Sequence, residues 1–501
     1  MRLDSNDFKH LTGNFYNEID TDWSIDYFGH KPGMHFEHIS TVENGAFIDL
    51  NNTHRARMHA RLLPDNFDLK TWVQGQKGIR LVVLEAPIKD LPDEILQFIV
   101  PDTWEFYKEV AGYIRQRFVG SMITVTGSVG KTTTRLMVAQ LIKASNHEVI
   151  TNLGNENARH VLPHLLTSLL KVPDAMVAEL SIGTLNTVDA NNGPISTLFN
   201  ADTAVITQIG GAHAGQRTNI SDPQLDVARR KAHIFMNMNP NVQAILNYDM
   251  EPRIFKYLQQ VASKKVAHVY TFSQKDQHAD AYVMEQTEYR KYSEVKIRVL
   301  DEIKTVKMTI PGDGSVIDLL AACLAYKAQG LKLPDLTMAF SKFKPLNREL
   351  TFHNLKTPTG QVTLVDDTYN STKYSVENVL SIFKKKGKFY KGLKVLVLET
   401  GDDITEKQAE QLNLSYQDKI LESEIDIVIG YRDRTIKPLI DSLNGKISEA
   451  IYYPDMKSIE KYIENLPTDS LIIVKGQHWK YGSDLWKLTP KLLKQPAKTI
   501  S

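Results

Sequence analysis

At 501 residues, with 42% hydrophobic and 24% charged side chains, the chain is too long for one ordinary core and too apolar to be disordered, which predicts a globular protein of several domains. Lys+Arg total 60 against 59 Asp+Glu, a formal net charge of +1, so there is no electrostatic case for nucleic acid or an anionic membrane surface as a partner. The single cysteine, Cys323, excludes an internal disulfide and any multi-cysteine zinc site; with a polar N-terminus and no stretch of about 18 apolar residues, the expected location is the cytoplasm.

The stretch to about residue 118 reads as mixed, with strands predicted at GAFIDL (Gly45 to Leu50) and IRLVVLE (Ile79 to Glu85) and a closing amphipathic helix, TWEFYKEVAGYIRQRF. From Met122, short apolar runs alternate with helix-length segments: MITVT, VIT at Val149, AMVAEL at Ala175, AVITQI at Ala204 and AILN at Ala244. Continuous apolar runs of this kind are the pattern of a parallel sheet with helical crossovers. Three antiparallel-looking segments follow, AYVMEQ, EVKIRVL and KTVKMTI, then a helical pair from about Ser315. A second alternating series begins near Arg348 with VTLVDD, LKVLVLE, IDIVIG and LIIVKG, a separate Rossmann-like unit of about 150 residues. Pro345 and Asn347 mark the linker between Lys344 and Arg348. The basic run Lys384, Lys385, Lys386 and Lys388 predicts a solvated helix end in preference to a polyanion site.

The strongest chemical signal is TGSVGKTTT, Thr126 to Thr134, between the strand SMITVT and the helical RLMVAQLIKA. Strand, glycine loop and helix is the context a phosphate-binding loop requires. Gly127, Ser128, Val129 and Gly130 would bring backbone N–H groups to phosphate oxygens at a helix N-terminus. Lys131 would neutralise β- and γ-phosphate charge, and the Thr132 hydroxyl, beside Thr133, would ligate Mg²⁺. Val125 stands at the first glycine position of the usual pattern, so the form is TG-x-x-GKTT. ATP is the expected nucleotide.

That form resembles the loop of the Mur ligases and the related folylpolyglutamate synthases, and further matches follow in the family's order from Met122 to His478. TNLGNENARHVLPHLL resembles the T-x-G-N-x-N-N segment of MurF-type enzymes, implying substrate contacts at Asn155 and Asn157, with Ala158 for the second asparagine of the pair. VAELSIG places Glu179, and AVITQIGGAHAG places His213, where the family keeps magnesium contacts. VARRKAHIF places Lys231 at the lysine whose carbamate holds a second magnesium, with His233 where glutamate is usual. In the last series Arg348 resembles the family's linker arginine, and VDDTYNSTKYSVENVL resembles the V-D-D-S-Y-N run, implying Asp367 on the ATP ribose and Tyr369 and Asn370 beside nucleotide and acceptor. LIIVKGQ matches the late V-K-G-S segment through Lys475, with Gln477 for serine. PGDGSVIDLLAACLAY departs from P-G-x-H-N-x-x-N at Gly314, Ser315 and Asp318.

The resemblance implies an α/β protein of three domains: 1–118, a divergent mixed α/β substrate-binding domain; 119–346, a central P-loop parallel-sheet ATPase domain; and 347–501, a Rossmann-like ligase domain. It also implies an ATP-dependent amide ligase using two Mg²⁺ ions. A small-molecule carboxylate would attack the γ-phosphate, and an amine would attack the resulting acyl phosphate, with Lys131, His213 and Lys231 as the catalytic groups and the 348–501 segment rotating to close the site. Peptidoglycan precursor synthesis is the leading substrate expectation. A Mur-type amino acid ligase outside the cell wall and a non-catalytic P-loop relative are the alternatives.

Overall fold

The computed structural model describes residues 2–17, 22–30, 43–58, 60–154, 156–168, 172–186, 194–211, 222–401, 404–478 and 483–494. It is an α/β protein rich in parallel strand pairs, and it divides into two compact units, one of Met1–Thr124, Asn146–Ala204 and His233–Val242, the other of Val125–Ser145, Val205–Ala232 and Gln243–Ser501. No helix among the described residues is long and apolar enough to cross a membrane.

The first unit carries a five-stranded sheet in the order Asn14–Phe15, Leu96–Ile99, Ile79–Leu84, Gly45–Ile48 and Tyr27–Gly29. Only the outermost pair, Asn14–Phe15 with Leu96–Ile99, is antiparallel. Gly45–Ile48 is buried at every position, because a parallel strand covered on both faces has no solvent side on which to place polar residues. Helix Thr103–Arg117 begins where the Asp102 side chain accepts from Glu105 N and buries Trp104, Tyr107, Ala111 and Ile114, a spacing of three and four that makes one face.

Next to this helix is a buried histidine cluster. His164 Nδ1 lies 3.0 Å from Phe28 O and Nε2 lies 3.2 Å from the Tyr27 hydroxyl, so the neutral ring donates to the carbonyl and accepts from the phenol. Burial pushes its pKa down to about 4, below the ordinary value of about 6.5. The unfolded chain therefore binds the proton more readily, and the stability that His164 contributes is present above about pH 6.5 and is lost as pH falls towards 4. Up to about 3 kcal/mol is at stake. His164→Asn is expected to flatten the fall in urea midpoint between pH 7 and 4.5; an unchanged slope rejects this role.

In the second unit, strands Gln243–Asn247, His268–Ser273 and Ala281–Glu288 run parallel, and Ser293–Val299 and Glu302–Met308 continue antiparallel. Helix Asp313–Lys327 follows and buries Cys323. A six-stranded sheet has the order Thr351–Thr357, Gly360–Asp367, Leu471–Lys475, Lys394–Leu398, Ile427–Tyr431 and Glu449–Tyr453, parallel except for the first pair. Its register pairs Asp367 and Leu398 with Lys475, so these residues share the carboxyl edge, where open α/β sheets collect ligands. The basic run is a solvated helix end only in part: Lys384 and Lys388 are exposed, Lys384 and Lys385 pair with Glu422 and Asp313, and Lys386 is buried against Glu288.

Candidate active site

Strand Ser121–Thr126 feeds the glycine loop and helix Lys131–Ala144 starts at Lys131. Gly130 is the N-cap at φ +81°, a left-handed conformation that favours glycine. Having no side chain, it cannot itself cap the N–H groups of the first turn, which an anion can then meet. A Cβ at Gly127 would collide with Thr207 Oγ1, and one at Gly130 with the Asp318 carboxylate. Both glycines are therefore fixed by close neighbours as well as by conformation.

The segment after strand Thr203–Ile206 staples this loop. Thr207 N donates to Thr126 O at 2.9 Å, Ser128 N to Gln208 O at 2.6 Å and Gly210 N to Ser128 Oγ at 2.8 Å, while Thr207 Oγ1 donates to Val129 O at 2.5 Å. Lys131, Thr132 and Thr133 are half-buried at the helix start. Lys231 ends helix Pro223–Lys231, is 2% exposed, and donates from Nζ to Gly127 O at 2.8 Å and Thr126 Oγ1 at 3.3 Å. The sequence-predicted Lys231 is thus brought onto the loop itself. Asp318 accepts from Thr134 Oγ1 at 3.3 Å, and burial holds its carboxyl well above the ordinary aspartate range.

Along the carboxyl edge of the six-stranded sheet, residues from three distant segments meet. Lys475 Nζ lies 2.6 Å from Asp367 Oδ2 and donates to Asn370 O at 2.6 Å. Asp367 Oδ1 accepts from Leu350 N at 3.3 Å. Tyr369 N donates to Arg348 O at 3.1 Å, and the Arg348 guanidinium lies 4.6 Å from the Trp486 ring centroid. Arg348 sits at φ +66° and Leu350 at +50°, values uncommon outside glycine that turn the chain sharply at the linker. The adjacent Asp366 accepts from Thr368 N and Oγ1, and the cap of helix Lys373–Lys386 is Thr372. Only the second aspartate of the pair is thus turned to Lys475.

In the first unit, Glu179 closes strand Ala175–Glu179, is 1% exposed and accepts from Asn157 Nδ2 at 2.7 Å. Its backbone N–H donates to Asn152 Oδ1 at 2.7 Å. Asn157 therefore orients a carboxylate. His213 and Asn155 lie outside the described residues.

The family model for the Mur ligase middle domain matches residues 125–326. The chain carries a Mur ligase middle domain. Curated relatives include the UDP-N-acetylmuramoyl-tripeptide--D-alanyl-D-alanine ligases of Synechocystis sp., 32% identical over 34% of this chain and 36% of that protein, and of Bacillus subtilis, 24% identical over 72% of this chain and 75% of that protein. Among solved structures, MurF from Acinetobacter baumannii superposes with a TM-score of 0.74 at 18% identity, covering 99% of both chains. MurF from Thermotoga maritima in complex with ADP gives 0.71 at 16%, covering 94% and 97%. The fold is that of the MurF structures along nearly the whole chain.

The departures from the Mur pattern have local explanations. His233, in place of glutamate, has Nδ1 2.7 Å from Leu185 O. Gly314, in place of histidine, donates its N–H to Asn378 Oδ1 at 2.8 Å, and a Cβ there would press on Asn378 at 3.2 Å. Trp486, Asn152, Thr207 and Tyr374 were not singled out by the sequence, because each acts through partners remote in the chain.

Proposed function

We propose that the chain is an ATP-dependent Mur-type ligase that joins D-alanyl-D-alanine to a UDP-N-acetylmuramoyl tripeptide, with domain limits near 118 and 346. The observation that carries this is the glycine loop held open by Thr207, Lys231 and Asp318, with an N-cap that leaves the first turn of helix Lys131–Ala144 to an anion. The relatives named above favour cell-wall chemistry over an amino acid ligase of another pathway.

The loop amides of Gly127, Val129 and Gly130, with Lys131 and Thr133, bind the β- and γ-phosphates, Ser128 shapes the nucleotide loop through its own amide on Gln208 O, and Asp367 and Arg348 take the ribose and phosphate side. The substrate carboxylate attacks the γ-phosphorus, ADP leaves, and Lys131 stabilises the charge that develops on the transferring group. The dipeptide amine, oriented by Tyr369, Asn370 and Lys475, then attacks the acyl carbon and inorganic phosphate departs. Asn155 and Asn157 line the carboxylate side, Asn157 through Glu179. Two Mg²⁺ ions, assigned to Thr132, Glu179, His213 and Lys231, would supply further charge neutralisation. A hydroxyl at a helix start and a carboxylate ending a buried strand suit a hard cation.

Lys231 is assigned as a carbamate. Its nitrogen would keep one N–H, enough for the bond to Gly127 O. Phosphate release from ATP should require both the UDP-linked tripeptide and the dipeptide, and should fall in CO₂-depleted buffer with loss of a ¹³C-bicarbonate-derived carbamate signal. Release that ignores the UDP donor rejects the substrate assignment; full activity with no carbamate signal rejects the modification.

A further inference from the structure

The turn between strands Ala281–Glu288 and Ser293–Val299 carries a polar cluster that no step above uses. Lys386, the last residue of helix Lys373–Lys386, is 3% exposed. Its Nζ donates to Tyr289 O at 2.8 Å and Tyr292 O at 3.0 Å and pairs with Glu288 Oε2 at 2.8 Å. Glu288 also accepts from Ser293 Oγ at 2.6 Å and Gln286 Nε2 at 2.7 Å. Burial alone would raise its carboxyl pKa, but the bonds from Lys386, Ser293 and Gln286 outweigh it and hold the group below the ordinary glutamate range. On the rim, Arg290 pairs with Asp469, donates to Phe389 O at 3.2 Å and lies 4.3 Å from the Tyr390 ring centroid. One turn of the central sheet thus grips a helix and two loops of the Rossmann-like segment.

The other end of the same helix is held lightly. Tyr374 Oη accepts from Gln224 Nε2 at 3.3 Å, and the ring lies against Gly210, whose N–H reaches Ser128 of the glycine loop. At 1.5 Å per residue, Tyr374 is about 18 Å from Lys386. Opening the Lys386 cage would strand a buried ammonium and a carboxylate, a severe cost, whereas one neutral bond at full length parts easily.

We propose that Glu288 and Lys386 form a clasp that stays closed through the reaction cycle and serves as the pivot on which segment 347–501 turns. Along the helix, Asn378 accepts from Gly314 N–H at 2.8 Å, Ser381 Oγ from Asp313 N–H at 3.3 Å, and half-exposed Lys385 pairs with Asp313. These lighter bonds part with the Tyr374 contact, and the segment then turns about the line joining the linker at Lys344 to Arg348 with the clasp. The clasp reduces domain movement to one swing, which carries Tyr374, and Tyr369 and Asn370 just before the helix, relative to the glycine loop. Glu288 and Lys386 are positioning residues and touch no substrate. The delivery of an amine by this swing rests on the ligase reading; the swing itself needs only nucleotide.

The test is electron–electron double resonance on the full chain with two spin-label pairs. Lys291→Cys with Lys391→Cys spans the clasp, and Lys143→Cys with Lys407→Cys lies away from it; all four lysines are exposed and the native Cys323 is buried. With a non-hydrolysable ATP analogue and Mg²⁺, the distant pair is expected to change its distance while the clasp pair keeps its own. Lys386→Met is expected to broaden the clasp distribution and lower kcat about 10-fold with ATP affinity unchanged. Should that variant fail to fold, Arg290→Ala on the rim is read instead, with the same broadening and a loss of about 3-fold. A clasp pair that shifts with nucleotide, a distant pair that does not, or a loosened clasp with wild-type kcat overturns the proposal. Labels that swing in a chain that ligates nothing would support the clasp and overturn the ligase reading alone.

Discussion

Lys131→Ala is expected to lower kcat/KM for substrate-dependent phosphate release by about 10³, the usual loss when one charged donor to a developing oxyanion is removed. The effect should be chemical and not a matter of folding. Lys131 is half-buried at the first position of a 14-residue helix, where alanine is at least as good a helix former. The loop it follows is held by other residues: Thr207 on Val129 O, Gln208 on Ser128 N and Lys231 on Gly127 O. The melting temperature should therefore move little while ATP affinity, read by calorimetry with Mg²⁺, collapses. Lys131→Arg is not expected to restore it, because the planar guanidinium does not reproduce a compact ammonium between phosphates. Wild-type ATP binding by Lys131→Ala would remove the phosphate-loop reading and the ligase assignment with it.

The parts of this site that were legible in the sequence are those set by local chain geometry. TGSVGKTTT needs only its own glycines and the preceding strand to form a cradle, and the structure places strand Ser121–Thr126 and helix Lys131–Ala144 around it. The buried parallel strands Lys394–Leu398, Ile427–Tyr431 and Leu471–Lys475 read as apolar runs because both faces are covered. Strand Glu449–Tyr453, at the sheet edge, has no fully buried residue, and His268–Ser273 buries only its last two; with polar ends and tyrosines left partly exposed, both lack the aliphatic runs of the inner strands. Long-range pairings were hidden for a different reason. Asp318 was visible only as a departure from a motif, and its contact with Thr134 spans 184 residues. Lys386 looked like one more surface lysine in a basic run until the turn at Glu288 was brought to it.

Lys475→Met is expected to destabilise the Rossmann-like segment by about 3–5 kcal/mol, the range for removing one partner of a buried ion pair. Lys475 is 1% exposed and Asp367 is 8% exposed, and their 2.6 Å contact joins the carboxyl ends of neighbouring parallel strands. Without the ammonium, the Asp367 carboxylate keeps the Leu350 N–H at 3.3 Å but loses its countercharge in a place water reaches poorly, and Asn370 O loses its donor. A loss of this size is a large part of a domain's total stability, so the urea midpoint should fall steeply. Adding Asp367→Asn removes the stranded charge while keeping an acceptor for Leu350 N, and the double variant is expected to recover most of the stability. Its ligase activity separates two roles that the single variant confuses. Activity that stays low in the restored fold means that Lys475 and Asp367 handle nucleotide or amine directly. Activity that returns with stability means that the pair only holds the strand ends together, and both residues leave the list of groups that touch substrate.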